Sequence, residues 1–174
     1  INGRIVNMAL RASPEAKFLG VTFDARLTWE LHTRQMVAKA YKRLNILRSV
    51  SALSEATPKP DIMKNLYEQT IRTIFEYSSL CIINAADVHL QKLQLIQNQS
   101  IRSILKTPAY VSIEDLHDCT GLPLIRGHLI ECARKSLARM ARTSPIIKSV
   151  ISDHKNLAHI KENESTLDII NKSI

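Results

Sequence analysis

A mainly α-helical fold, in which a short β-hairpin precedes a helical bundle, is predicted by three features of the sequence. The chain has only 4 Gly among 174 residues and 5% aromatic residues, a composition that favours helices over a β-sandwich. Long segments repeat apolar residues at the three- and four-residue spacing of amphipathic helices. One short run near the N-terminus is instead rich in β-branched and aromatic residues. The apolar content of 45% is sufficient for the packed core of one domain.

The β-hairpin is expected before the first helix. Residues 5–10 and 17–23 have the composition of strands, and a polar turn at residues 13–14 separates them. A second turn is expected at residues 24–25, where the helical pattern begins. Because two strands alone are marginally stable, this pair is expected to lie on the helices or to belong to a larger sheet.

Five helical segments follow, with turn residues between them. They are residues 28–50, 61–79, 87–106, a short helix from residue 112, and 124–143. In the third segment, Gln97 falls in the middle of the apolar stripe. A buried amide is costly unless it is paired, so we expect Gln97 to have a specific partner. The alternative is that Gln97 lies at the edge of the stripe.

The helical spacing also separates core positions from solvated faces. Residues from several helices are expected in one core, and they are Tyr41, Leu44, Leu66, Ile74, Leu93, Ile101 and Leu137. Glu68, Arg72 and Glu76 alternate in charge at four-residue spacing, which is typical of an exposed helix face. His128 and Lys135 fall opposite the apolar stripe of the last helix.

Three parts of the chain are expected. Residues 1–27 form the hairpin, residues 28–144 form the helical domain, and residues 145–174 form a linker or the edge of a downstream region, because the apolar pattern weakens there. The chain begins at Ile1 without an initiator Met, which indicates a piece of a longer protein. The longest apolar runs fall short of the ~20 residues of a membrane span, so no membrane partner is expected. The three scattered cysteines favour an intracellular protein, nuclear or cytoplasmic.

The net charge of +8 favours a polyanionic partner, with nucleic acid ahead of a membrane surface. Three basic clusters fall opposite apolar stripes, and they are Lys39, Lys42 and Arg43; Lys92, Arg102 and Lys106; and Lys135, Arg139 and Arg142. Each alone is compatible with an ordinary solvated face. Few acidic residues accompany the first two clusters, which we therefore predict to contact phosphates.

The sequence offers no set of catalytic carboxylates. A polymerase needs two or three carboxylates that converge on a pair of metal ions. Residues 85–87 contain a single aspartate that is typical of a helix start, and Glu114 and Asp115 are typical of a first helical turn. We therefore expect no catalytic residue in this chain and no activity of the chain by itself.

Two His/Cys pairs are candidate zinc ligands. His117 and Cys119 form one pair, and His128 and Cys132 form the other. Their spacing is unusual for a zinc site, so structural or incidental roles are favoured. We expect no metal site and no cofactor in this chain.

Five segments, in this order and spacing, carry a family resemblance. They are KFLGVTFDARLTW (17–29), AYKRLNILR (40–48), LYEQTIRTIFEY (66–77), LQKLQLIQNQSIRSI (90–104) and LHDCTGLPL (116–124). Together with the helix that follows them, they resemble the C-terminal part of reverse transcriptases of non-LTR (LINE-type, jockey-like) retrotransposons, over roughly three quarters of the chain. The chain departs from the family after Tyr77, where Gly and then Trp are usual and this sequence has SSLCII (78–83).

The resemblance implies the end of the palm, with a primer-grip hairpin, followed by the thumb of an RNA-directed DNA polymerase. It assigns Phe18, Leu19 and Gly20 to the primer grip and the first basic cluster to the first thumb helix. The implied partners are an RNA–DNA template–primer duplex and the remainder of the polymerase. The catalytic aspartates and their Mg²⁺ ions would lie outside this chain, in the full-length enzyme.

Two other functions are compatible with the same sequence. The first is a degenerate or domesticated helical module that binds proteins and has no polymerase function. The second, which we favour less, is an autonomous DNA-binding bundle. An intact Ala-Asp-Asp palm upstream of Ile1 would distinguish the polymerase from both.

Overall fold

The computed structural model describes residues 13–53 and 59–150 of the chain. A two-stranded antiparallel hairpin precedes a set of packed helices, as predicted. The strands are β1 (Glu15–Phe18) and β2 (Val21–Asp24). The helices are α1 (Glu30–Leu53), α2 (Pro60–Tyr67), α3 (Thr73–Tyr77), α4 (Ser79–Ile82), α5 (Asp87–Leu105), α6 (Ile113–Thr120) and α7 (Ile125–Thr143). Within the described ranges, no helix has the length and apolar character needed to cross a membrane.

The predicted strand at residues 17–23 is wrong, because the chain reverses in its middle. Phe18 pairs with Val21, and the two residues between them, Leu19 and Gly20, have φ values of 46° and 82°. Two-residue hairpin turns require positive φ at such positions, and Gly20 adopts this conformation without steric cost. Residues 13–14 are therefore not the hairpin turn. The predicted strand at residues 5–10 lies outside the described residues.

The predicted turn at residues 24–25 is confirmed, and Asp24 organises it. The Asp24 carboxylate accepts hydrogen bonds from the backbone N–H groups of Arg26, Thr28 and Trp29. These bonds, with that of Thr28 contributing most, lower the pKa of the Asp24 carboxyl. The carboxylate thus fixes the connection between β2 and α1, which begins at Glu30.

Helix α5 is the centre of the core, and it contacts α1, α2, α6 and α7. Of the predicted core residues, Leu44, Leu93 and Ile101 are fully buried. The others are half-buried and pack against the core, and they are Tyr41, Leu66, Ile74 and Leu137. The one-core prediction is therefore confirmed.

The single helix predicted for residues 61–79 is interrupted. A π-helical turn, Glu68–Arg72, connects α2 to α3, and α4 follows as a separate short helix. A π-helical turn contains more residues than an α-helical turn. It therefore keeps Tyr67, Ile71 and Phe75 on one side of the helix, and all three are fully buried. Apolar spacing alone does not distinguish this insertion from a regular helix.

Two amides on α5, one buried and one half-buried, hold the connection between α6 and α7. Gln97 is 1% exposed, and its Nε2 donates to the Pro123 carbonyl at 2.9 Å. The Oε1 of Gln94 accepts the backbone N–H of Ile125 at 2.8 Å. The prediction of a specific partner for Gln97 is confirmed, and the partner is the backbone just before α7.

The burial of α5 generates a stability prediction with an internal control. Leu93 is 0% exposed, whereas Leu95, two residues further along α5, is 51% exposed. Leu93→Ala should lower the free energy of unfolding by roughly 2–5 kcal/mol, because it leaves a cavity in the core. Leu95→Ala should change it by less than about 0.5 kcal/mol. Urea denaturation of both variants checks this, and equal losses would mean that the register of α5 is wrong.

Candidate nucleic-acid interface

The first basic cluster forms a ridge on the outer side of α1. Ala40, Leu44 and Leu47 of α1 are buried, so an amphipathic helix must turn the residues between them to solvent. We call Lys39, Lys42 and Arg43, which are all exposed, the α1 ridge. Neither lysine forms an ion pair with any described residue. Their charges are therefore available to a ligand.

Arg43 differs from the two lysines, because its guanidinium has a structural contact. Its Nη1 donates to the carbonyl of Thr70, in the π-helical turn, at 2.6 Å. Arg43 thus ties α1 to the segment between α2 and α3. A phosphate could therefore bind only to those N–H donors of the Arg43 guanidinium that do not contact Thr70.

The second basic cluster is spread along α5. Lys92 and Lys106 are exposed, and their separation of 14 residues corresponds to about 21 Å of helix. Arg102 donates from Nη1 to the Pro108 carbonyl and from Nη2 to the Val111 carbonyl, both at 2.8 Å. Arg102 therefore holds the loop between α5 and α6, and the three residues do not form one patch.

An open cavity of about 360 Å³ lies between the last turns of α1 and α5. Arg48, Ser51, Ser103 and Lys106 line it. The Nη2 of Arg48 donates to Oε1 of Gln99 at 3.2 Å, which holds the guanidinium at the cavity. Sequence reasoning missed Arg48 as a partner of Lys106, because only the packing of α1 on α5 brings them together.

The three predicted primer-grip residues occupy the exposed turn of the hairpin. Phe18 and Leu19 are 67% and 73% exposed, and Gly20 is also exposed. The hydroxyl of Tyr77 donates to the Leu19 carbonyl, so the end of α3 holds the turn in place. A side chain at Gly20 would meet the Tyr77 ring only at ordinary contact distance, so the backbone conformation is what favours glycine there.

The two His/Cys pairs do not form one cluster. The His117 ring lies between the Leu122 carbonyl, at 2.6 Å from Nδ1, and Asn98 Oδ1, at 3.2 Å from Nε2. Cys119 is exposed. His128 and Cys132 lie instead against Glu76 of α3.

The prediction that Glu68, Arg72 and Glu76 form a solvated face is also wrong. The Arg72 side chain is only 13% exposed, and its guanidinium is within ion-pair distance of both Glu68 and Glu76. His128, which was expected on the outer face of α7, is 14% exposed and lies against the same guanidinium. The sequence spacing identifies each helical face, but not that α7 packs on α3.

The sequence of this chain is similar to those of known polymerases. No family model and no solved structure matches the chain. It is similar to RNA-directed DNA polymerases of transposable elements, which confirms the resemblance to non-LTR retrotransposon reverse transcriptases. One relative is the probable RNA-directed DNA polymerase from transposon BS of Drosophila melanogaster, 24% identical over 147 residues, which are 84% of this chain and 16% of the relative. Another is the RNA-directed DNA polymerase from mobile element jockey of the same organism, 26% identical over 142 residues, 80% of this chain and 15% of the relative.

The chain therefore spans about one sixth of the length of these relatives. The similarity is not confined to one short motif, because it extends over four fifths of the chain or more.

His32 generates a prediction about pH. It is 4% exposed, and its Nδ1 accepts the Thr22 N–H at 3.3 Å, so the bond that joins β2 to α1 requires the neutral ring. Burial, with the charge of Lys39, lowers the pKa of His32. Protons therefore bind the unfolded state more tightly, and stability is lost as the pH falls below the unfolded pKa of about 6.5.

We expect the free energy of unfolding to decrease between pH 7 and pH 5. His32→Asn, whose Oδ1 can replace Nδ1 as the acceptor, should weaken this dependence. Urea denaturation at several pH values checks both statements. An unchanged pH dependence in the variant would mean that His32 does not contribute to it.

Proposed function

We propose that this chain is the template–primer-binding, thumb-like region of an RNA-directed DNA polymerase of a mobile element. The observation that carries this proposal is the similarity of 80–84% of the chain to two such polymerases. The α1 ridge supports it, because it presents two unpaired lysines opposite the core. The proposal includes the rest of the polymerase as a partner and an intracellular location.

The mechanism of binding would be recognition of the backbone. An RNA–DNA hybrid has a groove geometry close to A-form, which offers side chains little sequence information. Lys39 and Lys42 would therefore contact phosphates, which position the duplex without reading its sequence. They are one helical turn apart, and their long side chains allow them to reach neighbouring phosphates of one strand.

The hairpin would act at the primer end. Its exposed turn presents two apolar side chains, Phe18 and Leu19, beside a glycine. Because Gly20 has no side chain, the nucleic-acid backbone could approach the turn closely. The bond from Tyr77 supports this role, since it couples the position of the turn to α3 and hence to the helical core.

The Mg²⁺ ions of the full-length polymerase are proposed to be bound outside this chain. Within residues 13–53 and 59–150, the one group of three possible metal ligands contains a single carboxylate, Glu76. A pair of Mg²⁺ ions needs several carboxylate oxygens. The described residues do not fit that requirement, so we assign no step of nucleotide transfer to them.

A helical protein-interaction module is the second candidate function. Ile46 on α1 and Ile62 on α2 are 61% and 60% exposed. A groove of about 160 Å³ beside Ile46 is also lined by Leu47 and Leu66. Exposed apolar side chains and an apolar groove favour a protein ligand, and Arg43 of the α1 ridge also lines this groove.

The duplex proposal predicts a change in the salt dependence of binding. Replacing Lys39 and Lys42 with Gln should weaken binding to an RNA–DNA hybrid of any sequence. The slope of log affinity against log salt should become shallower by up to about two units, because two phosphate contacts are lost. Fluorescence anisotropy with a labelled hybrid over a range of salt concentrations measures both quantities.

The matched control is Arg139→Gln with Arg142→Gln. These exposed residues on α7 have the same three-residue spacing, and their replacement removes the same charge. The control should retain most of the wild-type slope. Equal losses in the two double variants would contradict a specific role of the α1 ridge and indicate attraction by net charge alone.

A further inference from the structure

Three side chains with different metal-binding atoms meet where α7 packs on α3. His128 and Cys132 are one helical turn apart on α7, so they share a face. The Oε1 of Glu76 is 2.7 Å from Nε2 of His128, and the Sγ of Cys132 is 3.3 Å from the same nitrogen. All three potential ligand atoms lie within 4.8 Å of one another, and all three residues are half-buried.

The nitrogen of His128 at the centre of this cluster has more partners than one ring atom can serve. Its Nε2 lies 2.9 Å from Nε of Arg72 as well as close to Glu76 and Cys132. A neutral imidazole nitrogen has either one proton or one lone pair. It therefore cannot donate to the Glu76 carboxylate and also accept from Arg72 and the thiol. Glu76, Arg72 and Cys132 therefore compete for this one nitrogen.

We propose that Glu76, His128 and Cys132 form a binding site for a thiophilic divalent cation of the Zn²⁺ type, which displaces the guanidinium of Arg72. A cation would accept one lone pair from each of the three ligand atoms, which resolves the competition at Nε2. The proposal is independent of duplex binding.

The ligand set selects the class of metal. Thiolate, imidazole and carboxylate are the three ligand types that Zn²⁺ uses, whereas Mg²⁺ and Ca²⁺ prefer oxygen alone. Ligand atoms around a tetrahedral Zn²⁺ are about 3.3–3.8 Å apart, given its bond lengths. Small rotations of Glu76 and Cys132 would produce this spacing. Water would provide the fourth ligand, and the thiol proton of Cys132 would be released to solvent on binding.

The guanidinium of Arg72 lies where the cation would bind. Its Nη2 lies 2.6 Å from Nδ1 of His128, and its Nε lies 3.3 Å from the Glu76 carboxylate. A second carboxylate, Glu68, is 2.8 Å from Nη1 of Arg72. Glu68 would therefore retain the guanidinium after it leaves the metal ligands. Since Arg72 and the cation compete for one place, removal of the Arg72 charge should increase metal affinity.

Titration of the full chain with Co²⁺, and then with Zn²⁺ in competition, tests the site. We expect one Co²⁺ per chain, with a thiolate-to-cobalt charge-transfer band in the near ultraviolet that Zn²⁺ abolishes. Cys132→Ser should remove this band, and both Cys132→Ser and His128→Ala should weaken Zn²⁺ binding by more than about 100-fold, since loss of an outer-shell contact alone costs 10–100-fold. Cys119→Ser, which removes an exposed thiol, is the matched control and should bind like the wild type.

The Arg72→Gln variant separates this site from incidental binding by cysteine. It should bind Zn²⁺ more tightly than the wild type, and circular dichroism should first show that it is folded. A folded Arg72→Gln variant with unchanged or weaker affinity would overturn the competition between Arg72 and the metal. Absence of the charge-transfer band in the wild type, or its persistence in Cys132→Ser, would overturn the site itself.

Discussion

The burial of α5 is the constraint on which the other helices depend. This helix contacts α1, α2, α6 and α7, and its buried side chains extend from Leu90 to Ile104. Its buried positions include amides as well as aliphatic side chains, and a buried amide without a partner would be costly. Gln97 therefore requires a polar partner and donates to the Pro123 carbonyl, while the half-buried Gln94 accepts the N–H of Ile125 at the start of α7. Apolar burial thus assembles the helices, while the amides specify where α7 begins.

The arginines and the lysines of the helices differ in what they contact. In the described helices, several arginines are held by the fold: Arg43 by a carbonyl of the π-helical turn, Arg72 by carboxylates and His128, and Arg102 by loop carbonyls. The planar guanidinium suits such contacts, because it presents several donors in a fixed geometry. Lys39 and Lys42 have no such contact and remain exposed. The proposed duplex interface therefore depends mainly on lysines, and the proposed metal site depends on how firmly Arg72 is held.

The long helices could be predicted from sequence, because α1, α5 and α7 repeat apolar residues over several turns. The predicted partner of Gln97 followed from the same pattern. The hairpin was misplaced because residues 17–23 have strand-like composition on both sides of the turn, and only pairing of Phe18 with Val21 shows where the chain reverses. The π-helical turn was missed because it shifts the helix register only slightly. The apolar residues around it keep a spacing that a regular α-helix would also have. The cluster of Arg72 with His128 was missed for a different reason: it joins residues 56 positions apart, and no local pattern indicates that α3 and α7 are neighbours.

The proposed function requires that the α1 ridge faces the backbone of a template–primer duplex. Acetylation of lysines in the full chain, with and without an RNA–DNA hybrid and followed by mass spectrometry, tests it most directly. If the α1 ridge binds the duplex, the hybrid should protect Lys39 and Lys42 from acetylation at low salt. This protection should be lost at high salt. Lys135 and Lys148, which are also exposed, should react equally in both conditions. Protection of these two lysines with none at Lys39 and Lys42 would contradict the account.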